Sequence, residues 1–372
     1  MSLSLVLAEE EIMLADMARG FLDDAAPVSH LRALRDAGET HDTALWAEMA
    51  RMGWTGVLVP EAQGGSDMGY SAANVLAQEM GKTLVVSPFL STAVIAATAL
   101  RQVGDDSANA ALARIAAGDV TYALAVDEGA KFDPDAVEMA AEADGNGFRL
   151  NGAKQFVVDG ALADRLLVLA RTVDGLTLFD LDANAAGIAR AQGHMIDSRD
   201  VARITFDNVE ATGADVLGQV DCAMDVLRPA LQAGQAALAA EMTGLAAGAF
   251  GMTVDYLKER KQFGVEIGRF QALQHRAAHL WCEVEVTSSA ILNAGRMLDT
   301  APDEADLAVS LAKAKATQTA QLAVQEGVQM HGGIGMTDAY DMGFYMKRAR
   351  VGAEWLGDYS YHAERVARHR GF

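Results

Sequence analysis

Between Cys222 and about Met330 the chain carries three apolar patterns of unusual length, and these restrict the possible folds more than any other feature. Leu231, Leu238, Leu245 and Met252 recur every seven residues, with Met242, Ala249 and Tyr256 filling the adjacent row. That is the period of an α-helix with one long buried stripe. Leu273, Leu280, Val284, Thr287, Ile291 and Leu298 repeat the theme on a second helix. Asp303 to Met330 predicts a third, with Leu307, Leu311, Ala314 and Leu322 toward the core. Helices of about 25 residues or more, joined by short turns, bury such stripes against one another, so an antiparallel bundle is predicted for residues 219–372.

The period is different upstream. Residues 1–118 read as a helical domain: Glu9 to Leu22 is amphipathic, and Thr43 is placed to cap a helix running through Leu45, Trp46 and Met49. Pro60 and the pair Gly64-Gly65 interrupt it with a loop. Residues 119–218 read as a small β-sheet or barrel. Phe148-Arg149-Leu150, Asn151-Gly152 and Gln155-Phe156-Val157-Val158 predict a hairpin turning at Asn-Gly. Leu166–Ala170, Leu176–Leu181 and Ala202–Phe206 are further strands. The fold class is therefore mainly α with a central β domain.

Composition removes several functions. A formal charge of −21 with no basic run disfavours nucleic acid, whose binding depends on Lys and Arg neutralising phosphates. Two cysteines, Cys222 and Cys282, cannot form a disulfide framework, which points to a reducing cytoplasm. No apolar run approaches the roughly 20 residues that span a bilayer. Met1-Ser2-Leu3 reads as an expression scar, and the N-terminus lacks the basic start of a signal peptide. His275, His279 and His331 lack metal-ligand spacing, no Gly-x-Ser-x-Gly elbow is present, and Cys282 reads as a core residue.

Two short stretches carry the chemistry. In Arg260-Lys261-Gln262-Phe263-Gly264 to Phe270-Gln271, one amphipathic helix closes and another opens around a guanidinium, two aromatics and several amides. A guanidinium fork suits a pyrophosphate, and amides suit the rim of a heteroaromatic ring. In Gln329-Met330-His331-Gly332-Gly333-Ile334-Gly335, three glycines in four positions exceed what a helix stop needs, and they let backbone approach a ligand closely. Each has a plainer reading: Arg260 as a cation at a helix C-terminus, Phe263 and Phe270 as core aromatics.

Together, in this order, the two stretches resemble the flavin-contacting elements of the acyl-CoA dehydrogenase family. Residues 1–118 resemble that family's N-terminal helical domain through Leu45-Trp46, Gly53-Trp54, Pro60-Glu61 and Gly64-Gly65. The resemblance implies a helical, sheet, helical-bundle order and FAD as cofactor. It also implies α,β-dehydrogenation of an acyl-CoA thioester, with an electron-transfer flavoprotein as acceptor in a dimer or tetramer. It places Arg260 on the flavin pyrophosphate, with Phe263, Gln271, Gln329, Gly332 and Gly333 at the adenosine half, all serving a neighbouring subunit's flavin.

The sequence also departs from that family. The usual base, a Glu soon after the glycine loop, falls on Leu356, followed by Gly357-Asp358; the alternative base position in the long helix falls on Gly234. Two carboxylates remain as substitutes, Glu241 within the apolar stripe and Asp358 beyond Leu356. A buried Glu would have the raised pKa that suits a general base. The family's Trp-Ile-Thr or Trp-Ile-Ser reads Phe156-Val157-Val158 here, and its hydroxyl-bearing flavin loop reads Val126-Asp127-Glu128-Gly129-Ala130-Lys131-Phe132-Asp133. The pattern is most similar to the small subunit of the pimeloyl-CoA dehydrogenase group and to paired dehydrogenases of sterol side-chain breakdown, in which a partner supplies the base. The alternatives are a self-sufficient homo-oligomer with a displaced base, a flavin-dependent oxidase or oxygenase on the same scaffold, and a non-enzymatic binding protein.

Overall fold

The computed structural model describes residues 6–372, so the reading of Met1-Ser2-Leu3 lies outside the described residues. Helices come first: α1 (Glu9–Ala25), α2 (Val28–Ala37), α3 (Thr43–Arg51), α4 (Gly69–Thr83), a π-helical stretch Phe89–Ala96 continuing into α5 (Ala97–Val103), and α6 (Asp106–Ala117). Strands follow: β1 (Tyr122–Ala125), β2 (Ala140–Asp144), β3 (Gly147–Val158), β4 (Arg165–Arg171), β5 (Leu176–Asp182), β6 (Ile188–Gln192) and β7 (Val201–Thr212). Then come α7 (Ala223–Glu259), the two-residue strands β8 (Lys261–Gln262) and β9 (Val265–Glu266), α8 (Gln271–Thr300), α9 (Asp306–His331), α10 (Met342–Glu354) and α11 (Tyr359–His369).

Secondary structure changes along the chain in the three stretches the sequence suggested, but contacts group the residues into two units. Among the described residues, one comprises 6–33, 70–85 and 235–372; the other comprises 34–69 and 86–234.

In the second unit, β1 to β7 form one mixed sheet in the order β1-β4-β2-β3-β7-β6, with β5 paired to the other side of β4. The predicted strands at 166–170, 176–181 and 202–206 are all present. The predicted hairpin at Asn151-Gly152 is not: β3 runs straight through it, with a register shift between Leu150 and Gly152. The turn lies earlier, where Asp144 pairs with Gly147 and Gly145 takes φ +60 at the first position of a two-residue loop. The N-cap of α3 is Asp42, whose carboxylate accepts from the backbone N–H groups of Ala44 and Leu45, and not Thr43.

The long helices appear as predicted, with 37, 30 and 26 residues in α7, α8 and α9; α8, α9 and α7 from Gln235 onward belong to the first unit. On α8 the predicted stripe is buried from Leu280 through Val284, Thr287 and Ile291 to Leu298, whereas the faces of α7 and α9 differ from the prediction. Residues 230–246 of α7 are buried on every side and not along one stripe, as befits a helix at the centre of a core. By length and composition α7 is also apolar enough to cross a membrane, contrary to the expectation that no such run exists. Most of that window is buried within the protein. On α9 the buried face is built from Ala312, Ala316, Thr319, Ala320 and Ala323, while Leu311 is 48% exposed. Small side chains let α9 pack closely, so its leucines are not its core signal. Cys282 is exposed as well, beside the exposed Trp281 on α8.

Candidate functional site

The end of α7 and the end of α9 meet through a stack of three rings. Tyr256 lies 4.5 Å from His331, and His331 lies 4.7 Å from Tyr340, centroid to centroid. Arg260 follows Tyr256 by one turn and donates its backbone N–H to the Tyr256 carbonyl (2.9 Å). Gly332 follows His331 directly and takes φ +67, ψ −144, a backbone region that only glycine occupies without strain. The two stretches paired in the sequence are thus held together in space.

This corner leaves its binding groups available. Lys258 pairs with Asp255, and both Lys261 and Arg269 pair with Glu266, yet Arg260 makes no ion pair among the described residues. The strands β8 and β9 turn at Phe263 and Gly264 with φ +55 and +82, which holds the Phe263 ring 93% exposed. A bulky side chain in left-handed backbone is costly, so this display needs a use. Phe270 meets Phe263 edge to face at 6.1 Å. Gln271 and Gln329 are exposed, and a Cβ at Gly332 or Gly333 would meet nothing, so the bend faces open space. An unpaired guanidinium, two amides, an aromatic face and an open glycyl bend fit the adenosine and pyrophosphate half of a dinucleotide.

The turn between α10 and α11 is the opposite case. Leu356 is buried with φ +57, and its carbonyl accepts from Gln235 Nε2 (3.1 Å) and His362 Nε2 (3.0 Å). The fully buried Lys313 donates through Nζ to the carbonyls of Gly352 (2.8 Å) and Gly357 (3.0 Å). Burial pushes the Lys313 ammonium down to about 7, against the pull of Asp358 and Glu354. Burial, with the nearby Lys313 charge, pushes His362 down to about 3. Asp358 caps α11, accepting from the Tyr361 backbone N–H at 2.8 Å. Glu241 is buried against Arg348 (3.2 Å), whose guanidinium also donates to the carbonyls of Val85 (3.0 Å) and Leu84 (3.3 Å). Both candidate base carboxylates therefore already have structural partners, and Gly234 has no side chain.

In the second unit, the stretch aligned with a flavin-facing strand carries no hydroxyl. Val157 and Val158 are buried, and Phe156 is 60% exposed with φ +52. In the loop after β1, Glu128 is satisfied by its own neighbours. Glu128 accepts from the backbone N–H groups of Glu138 (2.8 Å) and Met139 (3.1 Å) and from the buried Lys154 (2.6 Å). Burial works to raise the Glu128 carboxyl, but these bonds outweigh it and hold it below the usual range. Gln155 Nε2 donates to the Glu128 carbonyl at 2.8 Å. Asp127 is pushed up to about 6 by burial, and its Oδ1 has no hydrogen-bond partner. These side chains offer the rim of an isoalloxazine no hydroxyl.

Sequence reasoning missed Lys313, Arg348, Lys154 and the Tyr256–His331–Tyr340 stack. The only signal for Lys313 was a charge inside Leu311-Ala312-Lys313-Ala314, in an otherwise small, apolar row.

Comparison with known proteins decides the family. Residues 8–119 match the acyl-CoA dehydrogenase N-terminal domain, 123–209 its middle domain and 224–370 its C-terminal domain. The chain is 30% identical over 349 residues to acyl-CoA dehydrogenase IpdE2 of Mycobacterium tuberculosis, covering 94% of this chain and 93% of that one. The chain belongs to the acyl-CoA dehydrogenase family.

It is similar across 97% of both chains to a solved structure described as the "Tcur3481-Tcur3483 steroid ACAD G363A variant", with 32% identity and a TM-score of 0.87. The ChsE4-ChsE5 complex from Mycobacterium tuberculosis shares the fold at a TM-score of 0.91 and 24% identity, covering 99% of each chain. The chain is thus an oxidoreductase chain of the acyl-CoA dehydrogenase type, with the helical, sheet and helical-bundle fold of an FAD-binding family.

Proposed function

We propose that this chain is one subunit of a paired acyl-CoA dehydrogenase. It completes the nucleotide half of a flavin site whose ring contacts and catalytic base come from a second, related subunit. FAD, when bound, supplies the acceptor for the hydride leaving the β-carbon of the thioester. Arg260 offers its fork to the pyrophosphate, Gln271 and Gln329 offer amide donors, and Phe263 packs on the adenosine side. Gly332 and Gly333 let the backbone come close.

The observation that carries the reading is the contrast between an unpaired Arg260 beside an open glycyl bend and a buried leucine at position 356. Leucine cannot take the α-proton, and Glu241 and Asp358 are engaged with Arg348 and the first turn of α11. Deprotonation of a weakly acidic carbon needs a desolvated, correctly placed base, so a partner must bring one. A relative described as a steroid acyl-CoA dehydrogenase, 32% identical, supports a bulky, sterol-derived acyl group. An electron-transfer flavoprotein is the acceptor this reading assigns, in the cytoplasm.

The test is turnover of a panel of acyl-CoA thioesters with a dye acceptor. The assay compares this chain alone with this chain co-expressed with a family member that carries Glu at either base position. Activity only in the pair supports the reading. Equal activity from the chain alone, abolished by Glu241→Gln, would establish a self-sufficient enzyme instead.

A further inference from the structure

We propose that His331 is a positioning residue for the nucleotide half of the cofactor site, locking the Gly332 bend onto the Arg260 turn through Tyr340 and Tyr256. The proposal rests on the reading above, in which that corner receives the adenosine end of FAD. His331 is buried at the last turn of α9, and its Nδ1 lies 2.6 Å from the Gly327 carbonyl. A carbonyl only accepts, so Nδ1 carries the proton and Nε2 presents a lone pair. The Tyr340 hydroxyl, 3.1 Å from Nε2, is then the donor. One face of the imidazole is covered by Tyr256, whose carbonyl in turn anchors the Arg260 backbone. One neutral imidazole therefore ties three segments: the end of α9, the end of α7, and the loop beyond the glycines.

The loop is fastened from its other side as well. Arg32 of α2 donates to the Asp338 carbonyl (2.8 Å), pairs with Asp341 (2.6 Å) and lies 4.8 Å above the Phe344 ring. Between these two fastenings Gly332, Gly333 and Ile334 remain exposed, so the bend is held while its open face stays available. Burial lowers His331 from its ordinary value, against the backbone hydrogen bonds to Gly327 and Met252 that favour the charged form. The groups that act electrostatically on Tyr340 are Asp255, Tyr256 and Glu259 from α7 and Asp341 from the loop. None of them is a cation that would compete for Nε2.

The experiment measures FAD affinity of the deflavinated assembly in which the full chain is purified, with or without a second subunit. The variants are His331→Phe, Tyr340→Phe and the pair together. His331→Phe keeps a ring in the stack but cannot accept; Tyr340→Phe removes the donor and leaves His331 in place. Losing one hydrogen bond that holds a binding loop predicts FAD affinity weaker by about five- to tenfold in each single variant. The double variant should be no weaker than the worse single one, because both remove the same link. Turnover at saturating FAD and KM for the acyl-CoA should stay at parental values. Tyr340→Phe should leave the melting temperature without flavin near the parental value, whereas His331→Phe, which also strands the Gly327 carbonyl, should lower it. FAD affinity within twofold of the parent in both single variants overturns the proposal. So does a lowered flavin-free melting temperature with unchanged affinity, which is what mere packing would give. Arg260→Ala, measured alongside, separates the two ideas. If it too leaves FAD affinity unchanged, the nucleotide reading fails; if it alone weakens binding, only the role of His331 fails.

Discussion

The Arg260–Gly332 corner and the Leu356 turn are built from the same parts and end in opposite states. Each is a bend between helices, each contains a non-glycine residue in left-handed backbone (Phe263 at φ +55, Leu356 at φ +57), and each is braced by buried polar side chains. At the corner the brace faces inward, and Arg260, Gln271, Gln329 and the Phe263 ring are left outside. At the turn the polar side chains are turned inward: Lys313, Gln235 and His362 Nε2 are spent on carbonyls, Asp358 on a helix cap, and the Leu356 side chain on packing. Strained backbone at the corner displays binding groups, whereas at the turn it closes a position. A fold can keep the geometry of a site while giving up its chemistry.

The largest effect that would sharpen this comparison is at Arg348. Replacing it by Met strands the buried Glu241 carboxylate, and urea denaturation should show a loss of about 3–5 kcal/mol. Glu241→Gln should lower stability and leave the turnover of the pair intact. Abolished turnover with unchanged stability would make Glu241 a base and break the comparison.

At the corner, Arg260→Ala should weaken FAD binding by roughly ten- to a hundredfold, the range of a lost charge-assisted hydrogen bond. It should not change the melting temperature of the flavin-free chain.

The turn should announce itself by pH. Lys313 titrates near 7 when folded and near 10.5 when unfolded, so between those values the unfolded chain binds more protons and stability rises with pH. His362, near 3 folded against 6.5 unfolded, has the same sign in the acid range: stability is lost as pH falls from 6.5 toward 3. Lys313→Met should flatten the rise above pH 7 in a series of denaturation curves. A rise that persists in the variant would mean that Lys313 is not buried as described.

The smallest effect is at Asp358. Removing the cap with Asp358→Ala should cost about 1 kcal/mol of stability and leave flavin affinity of the assembly unchanged. A large loss of flavin or activity would return Asp358 to the catalytic candidates.

What could be read from the sequence was whatever depends on periodicity or on a local run. Helix α7 announced itself by heptad-spaced leucines, α8 and α9 by apolar residues at helical spacing, and β4, β5 and β7 by apolar runs between Gly, Asn and Asp. By contrast, β2 (Ala140–Asp144) and β6 (Ile188–Gln192) are mostly polar or small and gave no pattern. Asn151-Gly152 looked like a turn because its chemistry fits one, yet Gly145 took that role and β3 absorbed Gly152 at an irregularity in its pairing. The binding corner was legible because Arg260 and Gly332 sit in compact, unusual runs. The braces were not: Lys313 reaches carbonyls 39 and 44 residues away, and Arg348 a carboxylate 107 residues away, separations at which one sequence carries no signal.

Flavin stoichiometry tests the central claim most directly. Absorbance near 450 nm against protein concentration, for the full chain purified alone and then with its co-expressed partner, reads it in one step. The account predicts a nearly colourless chain alone and a yellow pair whose flavin an acyl-CoA bleaches. One tightly held FAD per chain in the isolated protein, bleached by an acyl-CoA with no partner present, would contradict it.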